Sequence, residues 1–406
     1  MNTPIDRGTV AKDRRISVLY FTNGKARGGA EEHILTLLRG LDRSRFRPYL
    51  ACTPVVAECL AKDLPADVEV FPVSFCGLRE VAGGVRLARF IRRHNIDILH
   101  SHLFYSSFFA SPVGWLCRVP VIVETPHVRE QWRHGLKAGF WIDRLAGRFV
   151  THYIAVSAAN ARYLVGEKRL PAKKVVTILN GCDLGRFDPL HQAPAALRAS
   201  LGFAPDDLVL LVAGRLEPQK GHRVMLDALP QLRRDFPNVR LVCVGDGALR
   251  GQLEQQVREL CLSDAVRFVG YQNDIPRWLS LADVTVLPSF FEGLPLIAIE
   301  SLAAARPMVA TTVDGTPEVI LDGRTGFTVP PGDALALAVA IGRLLRDPDM
   351  RRNFGQAGRS FVLEHFTQER QVEQTQQLYF DALQQRKAYR SPVEGAVEKD
   401  VARSAG

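Results

Sequence analysis

Two successive series of short apolar runs, each run separated from the next by a helix-length segment, constrain this chain more than any other feature. RISVLYF (15–21), RPYLACT (47–53), VEVFPV (68–73), DILHSHL (97–103), PVIVETPH (120–127), HYIAVS (152–157) and VVTILNG (175–181) form the first series. After Asn180-Gly181 the pattern lapses into DLGRFDPLHQAP. It restarts with LVLLVAGR (208–215), VRLVCVGDG (239–247), VRFVGY (266–271), DVTVLPS (283–289) and PMVATTV (307–313). Unbroken β-branched runs fit strands buried on both faces, and regular helical crossovers fit parallel pairing. The sequence therefore predicts an α/β fold of two doubly wound domains, 15–188 and 189–365, hinged near 181–195. Such domains bind ligands outside the carboxyl ends of their strands, which places the site in the cleft between them. Beyond 330 the spacing is helical, with a helix over 366–388 expected to pack back on the first domain. Residues 1–14 and 389–406 read as disordered ends.

Composition narrows the function. The 406 residues are 47% hydrophobic and 23% charged, enough apolar material to offset the ordering entropy of two cores. No run approaches the roughly 18 to 20 apolar residues of a membrane span, and the polar start lacks a signal peptide's apolar centre. Seven cysteines without a C-x-x-C pair read as reduced core thiols of a cytoplasmic protein. The net charge of +9 would suggest nucleic acid if it were spread evenly. Instead residues 1–190 carry 28 Lys+Arg against 17 Asp+Glu, and the remainder is close to neutral. The basic residues sit singly on helices rather than interleaved with aromatics, so nucleic acid is not the expected partner.

Three stretches can carry chemistry. In SFFEGLPLIAIESLAAARP (289–307) a strand ends, a loop presents Glu292 and Gly293, and a helix starts at Leu294 or Pro295. Unpaired N–H groups and the positive dipole end suit a phosphate there, and Glu300 follows about 8 Å along the axis. One carboxylate can then face a reacting group and the other a ribose diol. In LVAGRLEPQKGH (211–222), Gly214 allows close backbone approach while Arg215 and Lys220 can clamp a diphosphate. The third stretch, FTNGKARGGAEEH (21–33), is a glycine-rich turn that matches neither G-x-G-x-x-G nor the P-loop, which disfavours a nicotinamide-dependent oxidoreductase. The same spacings also fit plainer roles: a cap or solvated-face glutamate at 300, a loop charge at 292, solvated cations at 215 and 220. His100, His102 and His127 close predicted strands. His100 and His102 alternate on one strand with no third ligand near in sequence, so no metal site is expected. Asp347-Pro348-Asp349 reads as a turn and helix cap rather than a magnesium site.

Taken together, GGAE (28–31), H-S-H (100–102), TPH (125–127), AVS (155–157), LNGCD (179–183), GRLEPQKG (214–221), VGDG (244–247), FVGY (268–271) and FEGLPLIAIE (291–300) resemble, in order, the retaining glycosyltransferases of family 4. That resemblance implies the GT-B architecture of two Rossmann-like domains facing across a cleft. It further implies that Arg215 and Lys220 hold a donor diphosphate and that Glu300 hydrogen-bonds the ribose. Glu292 is implied near the transferred sugar, and the N–H groups of Gly293 and Leu294 at sugar or phosphate. Backbone from Val269 to Tyr271 would read the base, Gly29 would approach the phosphate from across the cleft, and His127 would lie beside the acceptor and anomeric centre. No cofactor or metal is expected, the nucleotide-sugar being a substrate.

The resemblance favours uridine diphosphate as donor nucleotide, then guanosine diphosphate, carrying a hexose-type sugar. A glycan or lipid-linked acceptor at the inner face of the plasma membrane suits the basic first half, which would touch the anionic surface peripherally. REQWRHGLKAGFWIDRLAGRF (129–149) is the candidate acceptor-side or membrane-facing element, or else a core helix with a basic outer face. A nucleotide-sugar epimerase or other GT-B enzyme is the nearer alternative, a nucleic-acid-binding protein the distant one.

Overall fold

The computed structural model describes residues 14–24, 26–73, 79–127, 144–187 and 195–403. Within them the first series of apolar runs forms β1 (Ile16–Thr22), β2 (Phe46–Cys52), β3 (Glu69–Pro72), β4 (Ile98–His102), β5 (Val121–Thr125), β6 (His152–Ala155) and β7 (Val175–Thr177). All pair in parallel in the order β3-β2-β1-β4-β5-β6-β7. β4 and β5 are buried at every position because helices cover both faces, which is why their sequences do not alternate. One face packs on helix Gly29–Gly40, through Ile34, Leu35 and Leu38. The other packs on helices Arg79–Arg93 and Phe104–Leu116.

The second series forms β8 (Leu208–Ala213), β9 (Val239–Val244), β10 (Val266–Phe268), β11 (Val284–Leu287), β12 (Met308–Thr311) and β13 (Gly326–Val329), again all parallel, in the order β10-β9-β8-β11-β12-β13. Each sheet reverses its strand order once, between β1 and β4 and between β8 and β11. Loops leaving these strands diverge to opposite sides and open a crevice at their carboxyl ends. The molecule is thus an α/β protein of two Rossmann-like domains.

The chain crosses between domains twice, and the crossings touch. Cys182 N–H donates to the Phe366 carbonyl (3.0 Å), and Gln368 N–H donates to the Cys182 carbonyl (3.1 Å). A Cβ at position 181 would strike the Thr367 carbonyl, so glycine is required there. The returning helix, Gln368–Arg403, buries Val372, Leu378, Tyr379 and Ala382 against the first domain's core. The Tyr379 hydroxyl reaches His100 Nδ1 (2.6 Å) and donates to Tyr20 (3.3 Å), tying this helix to β4 and β1.

Three expectations change. The terminal helix runs through Arg403 rather than giving way to a tail at Tyr389. Its Ala, Glu, Lys and Arg residues are sound helix formers, and a charged, small-residue composition does not forbid a helix. The helix expected at Leu294 or Pro295 begins at Leu296, with Pro295 in extended conformation as its cap. The cysteines are not uniformly core thiols: Cys52, Cys182 and Cys243 are buried, but Cys59 and Cys261 are exposed. Residues 1–13, the linker at 188–194 and most of the basic aromatic segment (129–143) lie outside the described residues. Asp347 does cap a helix, accepting from Met350 N–H (2.8 Å) with Pro348 at the first position.

Because Tyr379 satisfies a fully buried imidazole, Tyr379→Phe should cost about 1–3 kcal/mol. Urea unfolding of the full chain, followed by circular dichroism, measures it; an unchanged transition would mean that His100 finds another partner.

Candidate active site

Strand ends from both domains converge on the cleft. From the second domain, β8 runs into Gly214-Arg215. Gly221 (φ +65°) then turns the chain so closely against β11's exit that a Cβ would strike the Pro288 carbonyl. This turn brings Lys220 to the 289–293 loop. Its Nζ lies 2.6 Å from Glu292 Oε1, which also accepts from Ser289 Oγ (2.7 Å), and both charged side chains are largely buried. Asp314 accepts from Glu292 N–H (2.9 Å) and braces the loop. Lys220 and Glu292, assigned to different partners from sequence, therefore form one ion pair. Arg215 stands apart, about half exposed and 2.8 Å from Glu217.

From the first domain, β5 delivers His127 to the same place. A Cβ on Gly293 would overlap the His127 carbonyl oxygen, and only glycine lets the two loops meet. Neighbouring contacts fasten this junction. Ser157 Oγ donates to the Gly293 carbonyl (3.3 Å), and Asn180 Nδ2 donates to the Leu294 carbonyl (3.2 Å). Glu318 of the second domain accepts from Ala158 N–H (2.8 Å) and Ala159 N–H (2.7 Å), capping a first-domain helix from across the cleft. Further along the cleft, a Cβ on Gly29 would sit 3.8 Å from Leu296. Two helix starts thus face each other, and their positive dipole ends make the space between them attractive to an anion.

Glu300 is the fifth residue of helix Leu296–Ala303. Burial pushes its carboxyl up to about 7, Glu32 across the cleft adds to the effect, and Arg186 opposes it. At β10's end, Val269 N–H already donates to the Cys243 carbonyl (3.1 Å), and the Val269 carbonyl accepts from Gln272 (2.8 Å). The Gly270 carbonyl accepts from Gly245 N–H (2.8 Å), and Tyr271 is exposed. Much of the backbone assigned to the base from sequence is thus committed to the fold.

The first domain also gathers histidines that the sequence keeps apart. His33, the fifth residue of helix Gly29–Gly40, joins His102 and His127, one ring nitrogen of each lying within 4.8 Å of the others. His102 Nδ1 is 3.1 Å from His127 Nε2. Their ring nitrogens are close enough together to be a candidate metal site; the sequence reading weighed only His100 and His102, with no third ligand near in sequence. The other ligands come from a helix and a strand end distant in sequence.

Comparison with known proteins agrees with this geometry. Residues 27–186 match the model of Glycosyltransferase Family 4 and residues 195–361 that of Glycosyl transferases group 1. The D-inositol 3-phosphate glycosyltransferase of Streptomyces scabiei is 31% identical over 359 residues, covering 82% of this chain and 77% of that protein. This chain belongs to glycosyltransferase family 4. An Escherichia coli UDP-Gal:alpha-D-GlcNAc-diphosphoundecaprenol alpha-1,3-galactosyltransferase is 24% identical over 311 residues (75% of this chain, 80% of that one). Anabaena Alr3699/HepE, solved in complex with UDP-glucose, shares the GT-B fold with a TM-score of 0.81 at 21% identity, over 90% of this chain and 100% of that one. In this glycosyltransferase the two family matches meet at the cleft, the first supplying Gly29 and His127, the second Arg215, Lys220, Glu292, Gly293 and Glu300.

Sequence reasoning missed Ser157, Asn180 and Glu318. Ser157 and Asn180 sit inside the quoted AVS and LNGCD elements, while Glu318 carries no local signal because its partners lie 159 and 160 residues away. Gly293→Ala should force the domains apart without disturbing either core. We expect a larger radius of gyration by small-angle scattering, a melting temperature within a few degrees of wild type, and turnover reduced roughly a hundredfold, the scale of an ångström-level misplacement.

Proposed function

We propose that this glycosyltransferase moves a hexose-type sugar, with retention of configuration, from a nucleoside-diphosphate donor to the hydroxyl of a lipid-linked or polysaccharide acceptor. UDP-sugars are favoured as donors and GDP-sugars are next. The observation that carries the reading is the Lys220–Glu292 pair and Gly293 of one domain abutting His127 of the other, between two opposed helix starts. Breaking a sugar–phosphate bond develops oxocarbenium character on the sugar and negative charge on the departing diphosphate. Lys220 has N–H groups beyond the one on Glu292, and with Arg215, the helix start at Leu296 and the approach of Gly29 it offsets that charge. Preorganised donors of this kind are worth several kcal/mol, and they do the work that magnesium does elsewhere. Glu292 holds Lys220 in place beside the sugar. Glu300 accepts from the ribose hydroxyls, and the base stacks by Val269 and Tyr271. His127 positions the reacting groups, and the leaving phosphate takes the acceptor's proton on the same face.

Product analysis separates this from a nucleotide-sugar epimerase or another GT-B activity: free nucleoside diphosphate with a glycosylated acceptor supports it, a released epimer overturns it. Sugar nucleotides should raise the melting temperature of the full chain, and the response should depend on pH. An ionised carboxylate is the stronger acceptor for ribose hydroxyls, and the Glu300 carboxyl is pushed up to about 7. Donor affinity should therefore rise roughly tenfold between pH 6 and 8. In Glu300→Gln it should be weaker and flat across that range; a steep profile there would remove Glu300 from the donor site.

A lipid-linked acceptor implies work at a membrane surface, and we place the enzyme in the cytoplasm at the membrane's inner face. No described helix is long and apolar enough to cross a membrane. Helix Arg79–Arg93, however, exposes Val81 and Val85 on the stripe that carries Arg89 and Arg92, and the adjoining helix ends in exposed Trp115 and Leu116. Apolar residues beside arginines suit an anionic lipid surface, where each cation contributes about 1 kcal/mol. The full chain should cosediment with vesicles containing a third phosphatidylglycerol and not with neutral ones, and Val81→Asp with Trp115→Asp should abolish binding. Equal sedimentation of that double variant would rule this face out.

A further inference from the structure

His100 and His102 alternate on β4, but they have different fates. Both ring nitrogens of His100 are engaged, Nδ1 by Tyr379 (2.6 Å) and Nε2 by Thr125 (2.7 Å). His102 instead faces His127 and His33, with ring centroids 5.4 Å and 5.2 Å away, and all three rings are buried.

The surrounding amides assign the tautomer of His33. Asn180 Nδ2 is committed to the Leu294 carbonyl, so its Oδ1, 2.9 Å from His33 Nδ1, must accept a proton from that nitrogen. Gln371 is fixed the same way, its Oε1 accepting from Gly181 N–H (2.6 Å). Its Nε2, an N–H donor, lies 3.0 Å from His33 Nδ1 and 3.3 Å from Nε2. His33 Nε2 is thus unprotonated, in the arrangement by which metal-binding histidines are held, with the far nitrogen donating to an oxygen.

We propose that His33 Nε2, His102 Nδ1 and His127 Nε2 form a site for a borderline divalent transition metal, zinc(II) above all, and that filling it inhibits the enzyme. Nitrogens at 2.0–2.1 Å around zinc stand about 3.4 Å apart. The His102–His127 pair is already at 3.1 Å, and drawing in the third ring is a shift of the order of 1 Å. The proton shared by His102 and His127 moves to an outer ring nitrogen or to solvent. Three imidazoles select zinc, cobalt, nickel or copper over magnesium and calcium, which prefer oxygen. Inhibition follows because bound metal fixes the His127 ring against the first domain's wall, and this part rests on the role given to His127 above.

The test uses full-length, metal-stripped protein and cobalt(II) as probe. One cobalt per chain should bind with the intense visible absorption of a tetrahedral ion, be displaced by equimolar zinc, and persist in millimolar magnesium. His33→Gln and His102→Gln should each weaken binding at least a hundredfold while keeping the wild-type circular dichroism spectrum; if one fails to fold, the other decides. Absence of the spectrum, or its survival in the folded variants, overturns the site and leaves a hydrogen-bonded histidine stack only. Micromolar zinc should then inhibit sugar-nucleotide turnover reversibly by chelation, and binding without inhibition overturns the regulatory half. The cobalt spectrum needs no turnover, so failure of the transferase reading, seen as no melting response to any sugar nucleotide, is distinguishable from failure of the metal site.

Discussion

Between Gly293 and the His127 carbonyl there is no space for a side chain, and the composite site depends on that close approach. Each domain has its own sheet, yet the residues gathered at the cleft come from both. Bringing two loops from separate domains within contact distance costs polar backbone groups their water. The structure repays each one: Ser157 for the Gly293 carbonyl, Asn180 for the Leu294 carbonyl, Glu318 for two N–H groups at a helix start. The junction is accordingly mixed: these polar groups and glycines sit beside Val156 and Leu294, which share one buried apolar cluster.

The buried ion pair between Lys220 and Glu292 follows the same logic at a smaller scale. An ammonium largely removed from solvent is costly without a counter-charge. Glu292 supplies that charge, and Ser289 orients the carboxylate. With N–H groups left over at the cleft wall, Lys220 is placed for an anion before any arrives. Substituting either partner would leave the other as an uncompensated buried charge, so the two form one functional unit.

The fold was largely legible in the sequence because its governing signal is local. Unbroken apolar runs such as RISVLYF and LVLLVAGR could only be strands covered on both faces, and their regular spacing implied parallel crossovers. The strand-end loops were legible for the same reason, since a glycine-bracketed turn before a helix marks itself. What sequence did not reveal is set by distance. Glu318 caps a helix 160 residues away, and His33 meets His102 and His127 only through the topology of β1, β4 and β5. The Lys220–Glu292 pairing was hidden as well: both residues were marked as chemically active, but nothing in spacing says that two charged groups will spend their charge on each other. The tail beyond Tyr389 misled in the opposite direction, because polar composition does not forbid a helix.

The terminal helix carries a consequence for how the molecule is made. Val372 and Tyr379 complete the core of a domain whose sheet is assembled from residues 16–177. During vectorial synthesis the amino-terminal half leaves the ribosome long before these residues exist, and it must wait with its His100 hydroxyl partner missing until the whole second domain has followed. The order of assembly is therefore enclosed rather than sequential: the middle of the chain can finish first, and the beginning is sealed only by the end. Severing the chain at its apparent domain boundary would separate the first sheet from the helix that closes it, which makes the two lobes a single unit of biosynthesis even though they are two units of architecture.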